Sequence, residues 1–200
     1  MEHALLDRLR EAPLWFHYLR KLPELNFRAT KARIARVWDR LGRPRVLDVG
    51  CGTGEFSSLF DPRGYLGVDE SERYVHFARR RNPRHRFECA DVIAWPGSGE
   101  TFGLVLVNGV LHHADDATAT AILRAGLAHA APGARVLVIE DAELPGAGLA
   151  TRLVHRLDAG DFIRAPEAWR TLVAGVVRIE ETDTFTSGVC SYALMLGAKP

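Results

Sequence analysis

Between residues 45 and 141, short apolar runs alternate with helix-like segments. Four continuous runs have the pattern of strands buried on both faces of a parallel sheet: Val46–Val49, Tyr65–Val68, Leu104–Val107 and Val136–Ile139. Between them, Ser71–Arg81 and Asp116–Ala131 are predicted as helices, with Asp115 and Asp116 as caps of the second. Strands and helices that alternate with short connections predict an α/β fold, doubly wound around a mostly parallel sheet.

The two ends of the chain have other patterns. An apolar stripe at helical spacing predicts a helix over Phe27–Leu41, and Pro166 opens a second one. Two strand-like pieces follow, Val177–Thr182 and Ser191–Leu196, joined through Thr184–Val189. We expect them to pair as an antiparallel hairpin, because a parallel crossover needs a dozen or more residues.

Length and composition favour one domain over residues 1–200. Its predicted parts are an N-terminal helical segment (1–44), a core (45–141) and a final segment with the last strands (142–200). The 26 basic and 25 acidic residues give a net charge of +1, which is typical neither of a nucleic-acid binder nor of a polybasic membrane protein.

Location is predicted from three absences in the sequence. No apolar run approaches the roughly 20 residues of a membrane span, and the charged start Met1–Glu11 is unlike a signal peptide. The three cysteines form no CxxC pair, which favours a reducing compartment and no zinc site. We expect a cytoplasmic protein without membrane insertion.

Three alternating glycines follow the first predicted strand. Gly50, Gly52 and Gly54 allow a tight turn and let a ligand lie directly against the backbone. Asp69 ends the next strand, where an acid accepts hydrogen bonds from ribose hydroxyls. The pattern predicts a ligand that contains a nucleoside.

The same loop argues against phosphate-rich nucleotides. A dinucleotide fingerprint needs GxGxxG, but its last position here is Glu55, and no Gly-Lys-Ser/Thr follows for a phosphate loop. Asp48 and Glu55 are expected to repel a pyrophosphate. S-adenosylmethionine, a nucleoside with a sulfonium and an ammonium group, fits better.

These segments resemble motifs of the class I (Rossmann-like) S-adenosylmethionine-dependent methyltransferases, in order along Arg45–Asp141. They are the glycine loop Asp48–Gly54, then Gly67–Asp69, Ala90–Val92, Asn108–His113 and Ala131–Val136. The first is highly specific and the others are supportive. The resemblance implies a seven-stranded sheet with one C-terminal antiparallel strand, preceded by N-terminal helices.

The resemblance also implies the cofactor contacts. The glycine loop would hold the methionine part, Asp69 the ribose, and Asp91 the adenine amine with Val92 packed nearby. The expected cofactor-binding residues are Asp48, Gly50, Cys51, Gly52, Gly54, Asp69, Glu70, Asp91, Val92 and Asn108.

Candidates for the chemistry follow the fourth and fifth strands. His113 is the first choice as general base and His112 the second, although one histidine of such a loop packs against the cofactor. Glu140 and Asp141 are expected to face the acceptor or the solvent. No metal site is expected.

Two further segments bear on the acceptor. Leu14–Tyr18 is either a lid or a helix packed on the sheet, and Asp158–Arg164 is either an acceptor region or a plain connection.

The arginines of Ala78–Arg86 are interpreted as a solvated face. Asn108-Gly-Val-Leu lacks the Pro-Pro-aromatic sequence of nucleic-acid amino-methyltransferases, so nucleic acid is not the expected partner.

The predicted function is methyl transfer to an O or N nucleophile of a small-molecule or lipid-like acceptor. The alternatives are an RNA methyltransferase and a cofactor-binding, non-catalytic partner subunit.

Overall fold

The computed structural model describes residues 25–144 and 162–199. It contains the helices α1 (Arg28–Arg40), α2 (Glu72–Arg81), α3 (Asp116–Ala128) and α4 (Pro166–Ala174). The strands are β1 (Val46–Val49), β2 (Tyr65–Asp69), β3 (Arg86–Cys89), β4 (Phe102–Asn108), β5 (Ala130–Asp141), β6 (Arg178–Ser187) and β7 (Cys190–Ala198). The predicted segment Leu14–Tyr18 and most of Asp158–Arg164 lie outside the described residues.

All seven strands form one sheet in the order β3-β2-β1-β4-β5-β7-β6. The pairs β1–β2, β2–β3, β1–β4 and β4–β5 are parallel. β7 lies antiparallel to both β5 and β6 and is the single antiparallel strand of the sheet. The predicted fold class, a mostly parallel doubly wound sheet with a C-terminal antiparallel strand, is confirmed.

Two predicted boundaries are wrong, and one strand was not predicted. The helix predicted to Ala131 ends at Ala128, because β5 begins at Ala130 beside β4. The hairpin turn is confined to Gly188 and Val189, since Thr184–Ser187 pair with β7. The predicted strands also lack β3, which has no continuous apolar run because it is an edge strand in which only Phe87 is buried.

The hydrophobic core lies on both faces of the sheet. On one face α3 and α4 pack against it, and Trp169 of α4 is fully buried there. On the other face α1 contributes Ile34, Val37 and Trp38, whose spacing gave its predicted stripe. Burying a side chain such as Ile34 contributes about 1.5–3 kcal/mol to folding.

The connectivity places a crevice at the carboxyl ends of the central strands. From β1 the chain continues through β2 to β3 on one side of the sheet, and then returns to β4 on the other side of β1. Ligands of open α/β sheets bind at such a switch point, beyond the carboxyl ends of the strands. The loops after β1, β2 and β4 therefore define the candidate site.

Candidate active site

The glycine loop begins directly after β1 and is fastened to β2. The backbone N–H groups of Gly50 and Cys51 both donate to the carbonyl oxygen of Val68, at 2.8 and 3.1 Å. Gly50, Gly52 and Gly54 have φ angles of +67°, +52° and +70°. Side chains with a Cβ rarely adopt such angles, so the turn needs glycine at these positions.

The three glycines differ in what surrounds them. A Cβ on Gly50 would lie 2.3 Å from Cγ2 of Val110, and one on Gly54 would lie 2.9 Å from Cζ of Phe87. A Cβ on Gly52 would meet no atom within 4 Å. Packing therefore requires glycine at the first and third positions, whereas Gly52 borders open space from which a ligand can approach the backbone.

Asp69 joins the end of β2 to this loop. Its Oδ2 accepts a hydrogen bond from the N–H of Gly52 at 2.8 Å, and its Oδ1 accepts one from Ser71 at 2.9 Å. Burial raises the pKa of Asp69, and the two backbone donors oppose that shift. Because each carboxylate oxygen can accept two hydrogen bonds, Asp69 retains the capacity to accept from a diol as well.

Asp48 lies beneath the loop and is only 3% exposed. Its Oδ2 accepts a hydrogen bond from the hydroxyl of Tyr65 at 2.6 Å. Burial raises the pKa of Asp48 to about 7. Next to it, burial also raises the pKa of the Cys51 thiol well above its usual range, so this side chain is a neutral thiol at physiological pH.

The expected repulsion of pyrophosphate by the loop acids is overstated. Glu55 forms ion pairs with Lys31 at 2.5 Å and with Arg81 at 3.1 Å, which compensate its charge. Asp48 is buried and bonded to Tyr65. What disfavours a dinucleotide in this loop is therefore its glycine spacing.

The remaining predicted cofactor residues lie at the same edge of the sheet. Glu70 directly follows β2 and is exposed. Asp91 and Val92 follow β3; Asp91 is exposed and accepts a hydrogen bond from Ile93 N at 2.9 Å, whereas Val92 is half-buried. Asn108 is the last residue of β4. The topology thus brings the predicted cofactor-binding residues to one edge of the sheet, where the side chains of Asp48 and Cys51 are buried.

The loop after β4 carries both histidines and is held by Glu140. The Oε1 atom of Glu140 accepts from the backbone N–H groups of Val110 and Leu111, at 3.1 and 2.9 Å. Its Oε2 atom accepts from the backbone N–H of His112 at 3.3 Å and pairs with His112 Nδ1 at 2.8 Å. Since a carboxylate only accepts, Nδ1 carries a proton here.

The two histidines have different surroundings. His112 is fully buried, whereas His113 is exposed. Their ring centroids are 4.1 Å apart, so His112 packs directly against His113. The structure thus gives His113 access to a substrate and gives His112 a fixed orientation behind it.

The expectation for Glu140 and Asp141 is wrong, because neither faces solvent or an open acceptor site. They are 0% and 1% exposed. Glu140 binds the loop after β4, while the backbone oxygen of Asp141 accepts a hydrogen bond from the Trp169 indole at 2.9 Å. The available sequence signal is an acid directly after the apolar run Val136–Ile139, at the end of the sheet where the N–H groups of a loop need acceptors.

Comparison with known families identifies the core. Residues 46–133 match the sequence profile of a family described as "Methyltransferase domain". These matched residues are a class I methyltransferase domain. The predicted resemblance to this class of methyltransferases is confirmed, and S-adenosylmethionine is the cofactor of this class of domain.

Two curated relatives share part of this domain. The trans-aconitate 2-methyltransferase of Variovorax paradoxus is 34% identical over 76 residues, which are 36% of this chain and 29% of the relative. The tRNA (carboxymethyluridine(34)-5-O)-methyltransferase of Saccharomyces cerevisiae is 33% identical over 67 residues, covering 34% and 24%. The chain therefore matches less than a third of the length of these relatives.

Solved structures resemble the methyltransferase domain over most of their length. The N-methyltransferase NodS of Bradyrhizobium japonicum, in complex with S-adenosylhomocysteine, gives a TM-score of 0.75 at 17% identity, covering 97% of both chains. The magnesium protoporphyrin IX methyltransferase of Synechocystis, with S-adenosylhomocysteine bound, gives 0.70 at 17% identity, covering 92% and 88%. At these identities the likeness establishes the fold.

The arginines in the last turn of α2 and just after it are only partly a solvated face. Arg79 donates two hydrogen bonds to the carbonyl oxygen of Phe87, at 3.1 and 2.7 Å, and Arg81 pairs with Glu55. Arg80 and Arg84 are exposed. Two of the arginines thus brace α2 against β3 and the glycine loop.

Within residues 25–144 and 162–199, no three histidine, cysteine or acidic side chains are placed to hold a metal ion together. Over the same ranges, no helix has the length and apolarity needed to cross a bilayer.

Proposed function

We propose that this methyltransferase domain transfers the methyl group of S-adenosylmethionine to an O or N nucleophile of a small-molecule acceptor. The observation that carries the proposal is the direct contact between the glycine loop and the loop after β4. Val110 packs so closely on Gly50 that a Cβ there would overlap it at 2.3 Å. The histidines at 112 and 113 therefore stand immediately beside the loop assigned to the cofactor.

The residues at the sheet edge fit the cofactor. The open backbone at Gly52 leaves room for the methionine part, and Asp69 offers acceptors for the ribose. Asp91 and Val92 offer a carboxylate and an apolar surface for the adenine. The bound cofactor supplies a methyl carbon already activated by its sulfonium, so alignment and exclusion of water account for much of the rate.

His113 is the proposed general base. A base must come within about 3 Å of the acceptor proton, directly or through a water, and His113 is the exposed member of the pair. His112, bonded to Glu140 and packed against the ring of His113, holds that ring in place. His112 is the second candidate for the base, because its Nδ1–Glu140 bond leaves Nε2 as the basic nitrogen of a neutral ring.

A matched pair of variants tests this assignment. H113Q should lower turnover by about 10²–10⁴-fold, the usual span for loss of a general base, with little change in cofactor affinity. H112Q should lower turnover less and should retain the acidic limb of the pH–rate profile, where the rate falls as the base becomes protonated. Turnover is measured against pH with labelled S-adenosylmethionine, and affinity by calorimetry with S-adenosylhomocysteine. If only H112Q lost the acidic limb, His112 would be the base.

A small acceptor is supported by the position of one groove that is bordered by arginines. Arg63 and Arg84 border a surface groove with Asp61 and Pro62. Pro62 and Arg63 precede β2, so this groove lies at the amino ends of the strands, opposite the glycine loop. A polyanion bound there would be directed away from His113. The curated relatives themselves act on trans-aconitate and on tRNA, so the choice between the two classes is left to experiment.

A further inference from the structure

Arg164, just before α4, forms several hydrogen bonds with the histidine loop, which is the segment 109–115 between β4 and α3. Its guanidinium donates to the carbonyl oxygens of Leu111 at 3.4 Å and Ala114 at 2.9 Å. It also donates to Oδ1 of Asp116 at 2.9 and 2.7 Å and to the carbonyl oxygen of Phe162 at 2.8 Å. The side chain is only 12% exposed.

The other contacts of Arg164 tie it to the end of β5. Its backbone forms a parallel bridge with Ala142, and its carbonyl oxygen accepts from Glu143 N at 3.2 Å. Its guanidinium lies 4.5 Å from the ring centre of Trp169, whose indole N–H bonds to Asp141. One side chain therefore connects the segment after β5 with the loop after β4.

The histidine loop is thus held from two sides by complementary groups. Glu140 accepts the N–H groups at residues 110–112, and Arg164 donates to carbonyl oxygens at residues 111 and 114. Phe162 adds a third tie, because its N–H donates to the carbonyl oxygen of His112 at 3.0 Å. Phe162 is 42% exposed, which leaves an apolar surface close to the histidines.

We propose that Arg164 is a positioning residue that sets the two histidines relative to an acceptor seated against Phe162. The inference rests on the proposed function, since it assigns Arg164 a part in the same reaction. A lysine cannot replace it, because a single ammonium lacks the planar fork that reaches two carbonyls and a carboxylate while stacked on Trp169. A displacement of about 1 Å in a reacting group can cost about 10²-fold in rate.

The kinetic test compares R164K with R170K. Arg170, on the exposed side of α4, pairs with Glu167 at i,i+3 and serves as the matched control. R164K should lower kcat by about 10- to 100-fold and leave the KM for S-adenosylmethionine within about twofold. R170K should behave like the parent protein. Equal kcat in the two variants would overturn the proposal.

A third variant separates the ion pair from the carbonyl contacts. The Asp116 side chain is 81% exposed, so its pairing with Arg164 contributes little. D116N should therefore retain kcat within about threefold. A loss as large as that in R164K would contradict positioning through the loop carbonyls and make the ion pair the important contact.

A readout independent of turnover keeps this test separate from that of the function. Amide hydrogen exchange at residues 110–114 should be at least about tenfold faster in R164K than in R170K. Unchanged exchange would overturn the proposal even if activity fell. Faster exchange in a protein that methylates nothing would uphold the clamp on the histidine loop and contradict the proposed function.

Discussion

Replacing Glu140 by glutamine tests how the histidine loop is held. Each oxygen of Glu140 accepts two N–H groups, from Val110 and Leu111 at one and from the backbone and ring of His112 at the other. A glutamine keeps the shape but turns one oxygen into a donor. In either amide orientation, two N–H groups then face an NH₂.

The expected loss can be worked from those four bonds. The best arrangement turns the NH₂ toward His112, whose ring can change tautomer and accept at Nδ1, so that one backbone bond is lost and the rest become neutral. A hydrogen bond to a charged group contributes about 1.5–3 kcal/mol, and a buried unpaired donor costs about 1–3 kcal/mol. E140Q should therefore lower the free energy of unfolding by about 2–5 kcal/mol.

The effect on function follows from the tautomer. With Nδ1 accepting, Nε2 of His112 carries the proton, and the packing behind His113 changes. Turnover should fall by at least about tenfold, while affinity for S-adenosylhomocysteine stays within a few-fold. Urea unfolding gives the stability and calorimetry gives the affinity. E143Q, at an exposed position three residues further on, is the matched control.

Urea unfolding of the two variants decides whether Glu140 holds the loop. If E140Q and E143Q unfolded at the same urea concentration with the same slope, Glu140 would not be holding the loop.

Two further predictions concern the cofactor loop. In G52A the new Cβ meets no protein atom within 4 Å, so the variant should fold with only the strain of its positive φ, about 1–2 kcal/mol, and should bind S-adenosylhomocysteine at least about tenfold more weakly. G50A should also lose stability, because its Cβ would overlap Val110. Calorimetry and urea unfolding of both variants check this, and normal binding by G52A would contradict it. The raised pKa of Asp48, about 7 against 3.8, means that the folded chain binds its proton more tightly, so the free energy of unfolding should fall as pH rises from about 4 to about 7. D48N should flatten that dependence and exceed the parent by up to about 4 kcal/mol at pH 8, and a parallel pH dependence in both proteins would show that Asp48 is not its source.

The centre of the sheet was largely predictable because its strands are buried on both faces. Every residue of the runs Val46–Val49 and Leu104–Val107 is buried, so no solvent-exposed face interrupts them. β3 was missed because an edge strand such as Arg86–Cys89 needs only Phe87 to be buried. The end of α3 was misplaced because the alanines near residue 130 suit a helix, and only pairing with β4 makes Ala130 part of a strand.

The candidate site was predictable where backbone geometry demands one residue type. Positive φ angles make the glycines of the loop visible in the sequence. Glu140 and Arg164 were not, because their roles come from the backbone of a loop about 30 and 50 residues away. An acid and an arginine carry no mark of such partners in a single sequence. Long-range side chain–backbone bonds of this kind appear only once the fold is known.

The most direct test of the central claim is the fate of a labelled methyl group. The purified protein is incubated with methyl-labelled S-adenosylmethionine, a small-molecule extract and total RNA, and the label is counted in each fraction. The account predicts label in the small-molecule fraction, reduced by about 10²-fold or more in H113Q. Label confined to RNA, or no transfer by a protein that binds the cofactor, would contradict it.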